Sequence, residues 1–175
     1  LKKDILFIKS SNVRKCLSEI AYAIYKSKPK NIIAVTGTNG KSSVVDFYFQ
    51  ILQLNNKKVA SIGTLGIKTQ NYIKRISNTT LDSLALSICL NQLKKEKINN
   101  VILEASSHGL KQNRLDGLQF KTGIFTNLSH DHLDYHKTFE DYLKSKLYLF
   151  ENLLEKNANI ITDIEIPQYS KIRNI

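Results

Sequence analysis

The stretch Asn31-Ile32-Ile33-Ala34-Val35-Thr36-Gly37-Thr38-Asn39-Gly40-Lys41-Ser42-Ser43 decides how the rest of the chain is read. It opens on a short apolar run, Ile32 to Val35, whose β-branched residues suit a strand buried on both faces. Two glycines and a lysine break that run. Val44, Phe47, Tyr48, Ile51 and Leu52 then recur at helical spacing. A strand, a glycine turn and a helix start together make a cradle for phosphate. The glycines let backbone approach an anion, the first N–H groups of the helix point at it, and the helix dipole favours negative charge. Lys41 is then placed to reach the outer phosphates of ATP, and the Ser42 hydroxyl to ligate the accompanying Mg²⁺. The usual phosphate loop has four residues between its glycines, and here Gly37 and Gly40 enclose two. The competing reading is a plain strand-to-helix turn capped by a serine.

Upstream, residues 1–30 read as a lead-in of a short strand and a helix, the latter with Val13, Leu17, Ile20, Ala21 and Ile24 on one face and a stop at Lys28-Pro29. Downstream, Val59 to Ile62 reads as a strand and Thr64 to Ile76 as a hairpin-like excursion. Thr79 with Asp82 three residues on approximates a capping box for a helix over 81–97, whose apolar face carries Leu84, Leu86, Ile88, Leu90 and Leu93. Val101 to Glu104, Thr122 to Thr126 and Ala158 to Thr162 read as further strands. A helix over 139–154 starts from Thr138 as N-cap. Strands alternating with amphipathic helices define an α/β fold, a P-loop-type, mostly parallel sheet with helices on both faces. In such sheets ligands bind beyond the carboxyl ends of the strands, so the Gly37 loop, Glu104 and Asn127 are expected on one crest.

At 175 residues, with 42% hydrophobic and 23% charged residues, the chain has the composition of one globular domain. Its formal net charge of +11 comes from lysines scattered along the whole length. That pattern reads as a solvated surface, and neither a nucleic-acid nor a membrane partner is expected. Cys16 and Cys89 are isolated, as suits reduced thiols in a cytoplasmic protein. The four-residue apolar run near Leu1 is too short for a signal peptide or a membrane span.

Glu104 ends an apolar strand beside the phosphate loop, a position from which a carboxylate can help hold Mg²⁺. His108 reads equally as a ligand or as a loop imidazole bonded to backbone. The cluster Ser129 to His136 contains an HxHxD spacing found in zinc hydrolases, but Tyr135 stands where that motif needs histidine. Lys146 has Tyr142, Leu143, Leu149 and Phe150 one turn away, so its helical face is apolar. Two outcomes are open to it: a desolvated amine of lowered pKa, or a packed stem with the ammonium reaching water. Lys144, with Glu140 and Asp141 behind it, reads as a surface ion-pairing lysine.

Taken in order, TGTNGKSS (36–43), SNTTLD (77–82), EASSHGL (104–110) with Gln112 and Arg114, FTNLSHDHLDYH (125–136) and FEDYLKSKLYLF (139–150) resemble the central ATP-binding domain of the Mur ligase family over most of the chain. The likeness is strongest to the members that add the third amino acid to the UDP-N-acetylmuramoyl dipeptide during peptidoglycan synthesis. The resemblance implies that Gly37, Thr38, Asn39, Gly40, Lys41, Ser42 and Ser43 bind ATP, with Asn127 and His132 beside the nucleotide. It implies that Ser42 and Glu104 hold one Mg²⁺, and that His108 and a carbamylated Lys146 complete a second metal site. Asn78, Thr79, Thr80, Ser106, Gln112 and Arg114 match positions that hold the UDP-muramoyl dipeptide. The expected reaction is amide formation through an acyl phosphate, with diaminopimelate or lysine as the incoming amino acid. The family has prolines where this chain has Leu81 and Ser83, which bears on the stiffness of that loop. Two other readings are a nucleotide-binding remnant without turnover and a ligase like folylpolyglutamate synthase, which shares the loop type. Residues 31–175 are expected to be a central domain incomplete at its C-terminal end. The absence of methionine, the start at Leu1 and the lack of flanking nucleotide-gripping and amino-acid-selecting domains lead to the expectation of a fragment that needs those domains for turnover.

Overall fold

The computed structural model describes residues 7–131 and 133–175. The strand expected within Leu1 to Ile8 falls mostly outside them, as does His132. Helices α1 (Val13–Ile24), α2 (Lys41–Leu54), α3 (Ser83–Lys95), α4 (Ser107–Lys111), α5 (Leu133–His136), α6 (Phe139–Asn152) and α7 (Tyr169–Arg173) accompany seven strands. These are β1 (Asn31–Thr36), β2 (Val59–Gly63), β3 (Gly66–Lys68), β4 (Ile73–Lys74), β5 (Asn100–Glu104), β6 (Phe120–Phe125) and β7 (Leu154–Thr162).

The strands form one sheet in the order β4-β3-β2-β5-β1-β6-β7. β2, β5, β1, β6 and β7 pair in parallel, and β3 and β4 add antiparallel as the expected hairpin. β1 lies between β5 and β6; the chain leaves β1 toward β2 on one side and leaves β6 toward β7 on the other, so the connections diverge between β1 and β6. That reversal opens a crevice at the carboxyl ends of the central strands.

The two faces of β1 alternate as its sequence requires. Ile32 and Ala34 join Tyr22 of α1, Leu86, Leu90 and Leu93 of α3, and Leu143, Leu147 and Phe150 of α6 in the larger core. Ile33 and Val35 face the other way, with Val44, Val45 and Tyr48 of α2, Ile102 and Ile124. Helices thus cover both faces, three main helices on one and α2 on the other.

Three helical details differ from the sequence expectation. In α1 the buried residues are Ser18, Ala21 and Tyr22, while Val13, Leu17 and Ile24 are exposed. The helix is turned by polar anchors: the Ser18 hydroxyl donates to the Asn113 carbonyl and the Tyr22 hydroxyl to that of Arg114. In α2 the buried pair is Val45 and Phe49, and Phe47 and Ile51 point outward. In α3 the N-cap is Asp82, whose carboxylate accepts from the Ala85 N–H at 2.9 Å, and not Thr79. Leu84 and Ile88 sit on its half-exposed flank.

Because β5 is central and β7 is an edge strand, truncations in the two should differ sharply. Leu103→Ala, at a fully buried site, is expected to cost about 2–5 kcal/mol in urea unfolding, and Ile161→Ala, 53% exposed, less than about 1 kcal/mol.

Candidate active site

The loop between β1 and α2 is held from β6. The Thr126 hydroxyl donates to the Asn39 carbonyl at 2.6 Å, the Thr38 N–H donates to the Asn127 carbonyl at 2.9 Å, and the Asn39 N–H donates to Asn127 Oδ1 at 3.0 Å. Gly37 (φ 145°) and Gly40 (φ 81°) both sit where L side chains are strained. At Gly37 a Cβ would also lie 1.9 Å from Thr126 Oγ1. α2 begins at Lys41 with no side chain capping it, and its first intrahelical bond runs from the Val44 N–H to the Gly40 carbonyl. Orphan N–H groups therefore stand at the helix start, where an anion fits.

Two ammonium groups converge on this loop from opposite sides. Lys41 Nζ donates to the carbonyls of Gly37 (3.0 Å) and Thr38 (2.8 Å), and Lys146 Nζ donates to the Gly37 carbonyl at 2.7 Å. Lys146 is 1% exposed, with its Nζ 4.3 Å from the centre of the Tyr142 ring. Burial, reinforced by the charge of Lys41, pushes the Lys146 amine down to about 7, with Asp131 opposing. Lys41 is likewise lowered by burial, against the pull of Glu104 and Asp131. Of the two outcomes open for Lys146, the structure takes the desolvated amine.

Glu104, at the end of β5, is buried and fixed by the hairpin side of the sheet. Its Oε1 accepts from the Thr64 N–H at 2.8 Å, and its Oε2 from the Thr64 hydroxyl at 3.2 Å. A Cβ on Gly63 would lie 2.2 Å from Glu104 Oε1, so the carboxylate occupies space that only glycine leaves free.

The third wall comes from the segment before α3 and from α4. The Thr80 hydroxyl donates to the Glu104 carbonyl at 2.8 Å and accepts from the Ser106 N–H at 2.9 Å. Ser106 caps α4 by accepting from the Gly109 N–H. Arg114 donates to the Thr80 carbonyl at 2.6 Å and through two nitrogens to Gln112 Oε1, and Gln112 in turn donates to the Tyr135 hydroxyl. Together these walls enclose a polar cavity of about 450 Å³, lined by Lys41, Ser42, Glu104, His108, Asn78 and Arg114 among others.

Behind His108 lies a buried imidazole. His136 is fully buried, with Nε2 2.9 Å from Ser107 Oγ and Nδ1 3.3 Å from Ser145 Oγ. Burial first, then the charges of Lys111 and His108, push it down to about 4, against the nearby Asp141. It is therefore neutral near pH 7, and its 3.9 Å approach to Asp141 is not an ion pair.

Residues 35–174 match the Mur ligase middle domain. The chain belongs to the Mur ligase family. It is 41% identical over 174 residues to the UDP-N-acetylmuramoyl-L-alanyl-D-glutamate--2,6-diaminopimelate ligase of Rickettsia bellii (strain RML369-C), covering 97% of this chain and 36% of that one. A solved structure of a ligase of the same name superposes with a TM-score of 0.81 at 32% identity, covering 95% of this chain and 34% of that one. E. coli FolC, solved with DHPP and ADP, shares the fold with a TM-score of 0.69 at 17% identity, over 95% of this chain and 45% of its own. The chain spans about a third of the length of the curated relatives it matches.

Within this Mur ligase chain, the residues singled out from sequence fall into three groups. Thr38, Asn39, Gly40, Lys41, Ser42, Glu104 and His108 line the cavity with Asn78, Thr79, Thr80, Ser106, Gln112 and Arg114. Ser43 is exposed on α2 outside it, Asn127 grips the loop, and Lys146 lies beneath the loop on the Gly37 carbonyl. Sequence reasoning missed Gly63, Thr64, Thr126 and His136. The first three act through contacts across strands and His136 through contacts to α4 and α6, and only the histidine's place in a polar cluster gave a signal. Lys144 is exposed, and the acids expected to pair with it are taken by Lys111 (Asp141) and Lys171 (Glu140).

The depressed Lys146 amine fixes a sign for stability against pH. From about 7 up to the ordinary lysine value of 10.5, the unfolded chain holds a proton that the folded one has released, so stability rises with pH. Urea unfolding between pH 7 and 9 should show this rise, and Lys146→Met should flatten it.

Proposed function

We propose that these residues form the nucleotide- and dipeptide-binding portion of a ligase that adds the third amino acid to the UDP-N-acetylmuramoyl dipeptide. The observation that carries the reading is the convergence of Lys41, Ser42 and Glu104 with Asn78, Thr80, Gln112 and Arg114 on one cavity. In this reading the orphan N–H groups at the start of α2 take the ATP phosphates. Lys41 leaves the loop carbonyls to meet them. Arg114 and Gln112 orient the free carboxylate of the dipeptide toward the outer phosphate.

Phosphoryl transfer to that carboxylate gives an acyl phosphate. The amine of the incoming amino acid displaces phosphate from it and forms the amide. Lys41 neutralises charge on the transferring group.

Mg²⁺ fits the donor set. Among the described residues no cluster of three or more His, Cys, Asp or Glu is present, and Mg²⁺ asks for one or two protein oxygens with phosphate and water completing its shell. Ser42 and Glu104 would supply those oxygens, and the ion would add charge neutralisation at the phosphates. The family likeness would give a second ion to His108 and a carbamylated Lys146; His108 lines the cavity, whereas Lys146 lies beneath the loop on the Gly37 carbonyl. For Lys146 this requires CO₂ to add to its neutral amine with loss of a proton, which turns a buried cation into an anionic ligand. An amine whose pKa is about 7 is available for that reaction.

The names of the relatives make diaminopimelate the amino acid to test first, with lysine second. At 17% identity the FolC likeness is one of fold, so the folylpolyglutamate reading has less behind it. A cytoplasmic site suits ATP chemistry and the free thiols Cys16 and Cys89. No helix among the described residues is long and apolar enough to cross a membrane.

Titration calorimetry with ATP and Mg²⁺ tests the reading. The chain should bind nucleotide, and Lys41→Ala should weaken binding more than about tenfold. Gly63→Ala, by displacing the Glu104 carboxylate, should reduce the Mg²⁺ dependence of binding while the fold is kept. Absence of nucleotide binding by the folded chain would remove the proposal. ¹³CO₂ labelling should give one carbamate resonance that Lys146→Met abolishes.

A further inference from the structure

Parallel strands all start at one end of a sheet, so residues just ahead of them meet there however far apart they lie in sequence. In this chain those positions are lysines. Lys28 and Lys30 precede β1, Lys57 and Lys58 precede β2, and Lys95 and Lys97 precede β5, all six exposed. Hydrogen bonds tie the pole together. Asn31 Nδ2 donates to Asn100 Oδ1 at 2.9 Å, Asn100 Nδ2 to the Lys58 carbonyl at 3.1 Å, and Lys121 Nζ to Asn31 Oδ1 at 3.3 Å.

Among the described residues none of the six lysines is in an ion pair; the lysines that are paired are Lys15, Lys68, Lys111 and Lys171. Glu96, an acid in the same rim, accepts from Tyr72 and Gln92 instead. The opposite crest carries acids such as Glu104, Asp131 and Asp163. Exposed lysines thus gather at the pole away from the cavity, where Glu19 and Asp116 share a surface cavity with Lys28.

Aliphatic side chains protrude beside the lysines. Leu54, the last residue of α2, is 80% exposed, and Ile24, the last of α1, is 67% exposed. Contrary to the expectation drawn from scattered charge, we propose that this pole is a docking face for an anionic phospholipid surface, with the lysines at the headgroups and Leu54 and Ile24 entering the interface. Lysines interleaved with exposed aliphatics suit a lipid boundary. A nucleic acid would call for rings that stack on bases or an element that enters a groove. Docked this way, the chain turns its cavity toward solution, open to soluble substrates. The competing account is internal: lysines near the C-terminal ends of α2 and α3 offset the helix dipoles, and that role needs no partner.

Co-sedimentation of the 175-residue chain with vesicles separates these accounts. Binding is expected to an equal mixture of phosphatidylcholine and phosphatidylglycerol, not to phosphatidylcholine alone, and to fall steeply as salt is raised to about 0.5 M. Replacing Lys28, Lys30, Lys57 and Lys58 by Glu should weaken partition more than about tenfold, and the milder Gln set, checked for an unchanged melting curve, should weaken it in the same direction. A control set with the same change in charge, Lys9, Lys74, Lys137 and Lys144 to Glu, should weaken it far less. Equal loss in both sets, or no binding to anionic vesicles, overturns the proposal. So does tighter binding to a duplex oligonucleotide than to vesicles at equal phosphate.

Discussion

The close approach of Gly37 to Thr126 is the contact on which the site depends. No side chain can stand at position 37, because its first carbon would overlap the threonine hydroxyl. This lets the end of β1 lie flat against the end of β6, where Thr126 and Asn127 bind the loop through four hydrogen bonds from Thr126 Oγ1, Thr38 N, Asn39 N and Asn127 Nδ2. The Gly37 carbonyl is left as the meeting point of two ammonium groups. Burial lowers the pKa of both amines, and at Lys146 the charge of Lys41 adds to that lowering. The loop is thus a place where positive charge is gathered in advance of an anion.

The same device of a missing side chain fixes the opposite wall. Gly63 leaves room for the Glu104 carboxylate, and Thr64, the next residue, donates to both its oxygens. Gly109 gives way to Thr80, whose hydroxyl joins β5 to α4. Each contact joins residues between 24 and 41 positions apart in sequence. The polar groups of the cavity walls are bonded to one another. What remains for ligands is the helix start, the ends of Lys41 and Arg114, and the hydroxyl of Ser42.

Strong periodicity made the elements legible from sequence, and the strand-end rule placed Lys41 and Glu104 on one crest. The helical faces were less legible. Apolar spacing says that a helix has a dry side but not which neighbours arrive to cover it. α1 is turned by two hydroxyl-to-carbonyl bonds, and α2 meets the sheet through Val45 and Phe49, which leaves Phe47 outside. Asp82 displaced Thr79 as the cap of α3 because Thr79 faces the cavity and pairs with the Thr64 hydroxyl. The environment of Lys146 could not be chosen from periodicity, since an apolar stripe is compatible with a stem that escapes to water. Only the carbonyl of Gly37 above it and Tyr142 beside it keep the amine in place.

By itself the sequence determined the alternation of strands and helices, the strand, glycine turn and helix start of residues 31–43 and the set of polar strings that meet at the strand ends, because these rest on spacing and local backbone demands. The tertiary structure alone decided which hydroxyl holds Glu104, which carbonyl takes two lysines, and that lysines scattered along the chain meet at one pole. Such facts depend on what a parallel sheet places side by side, and distance along the chain carries no record of it.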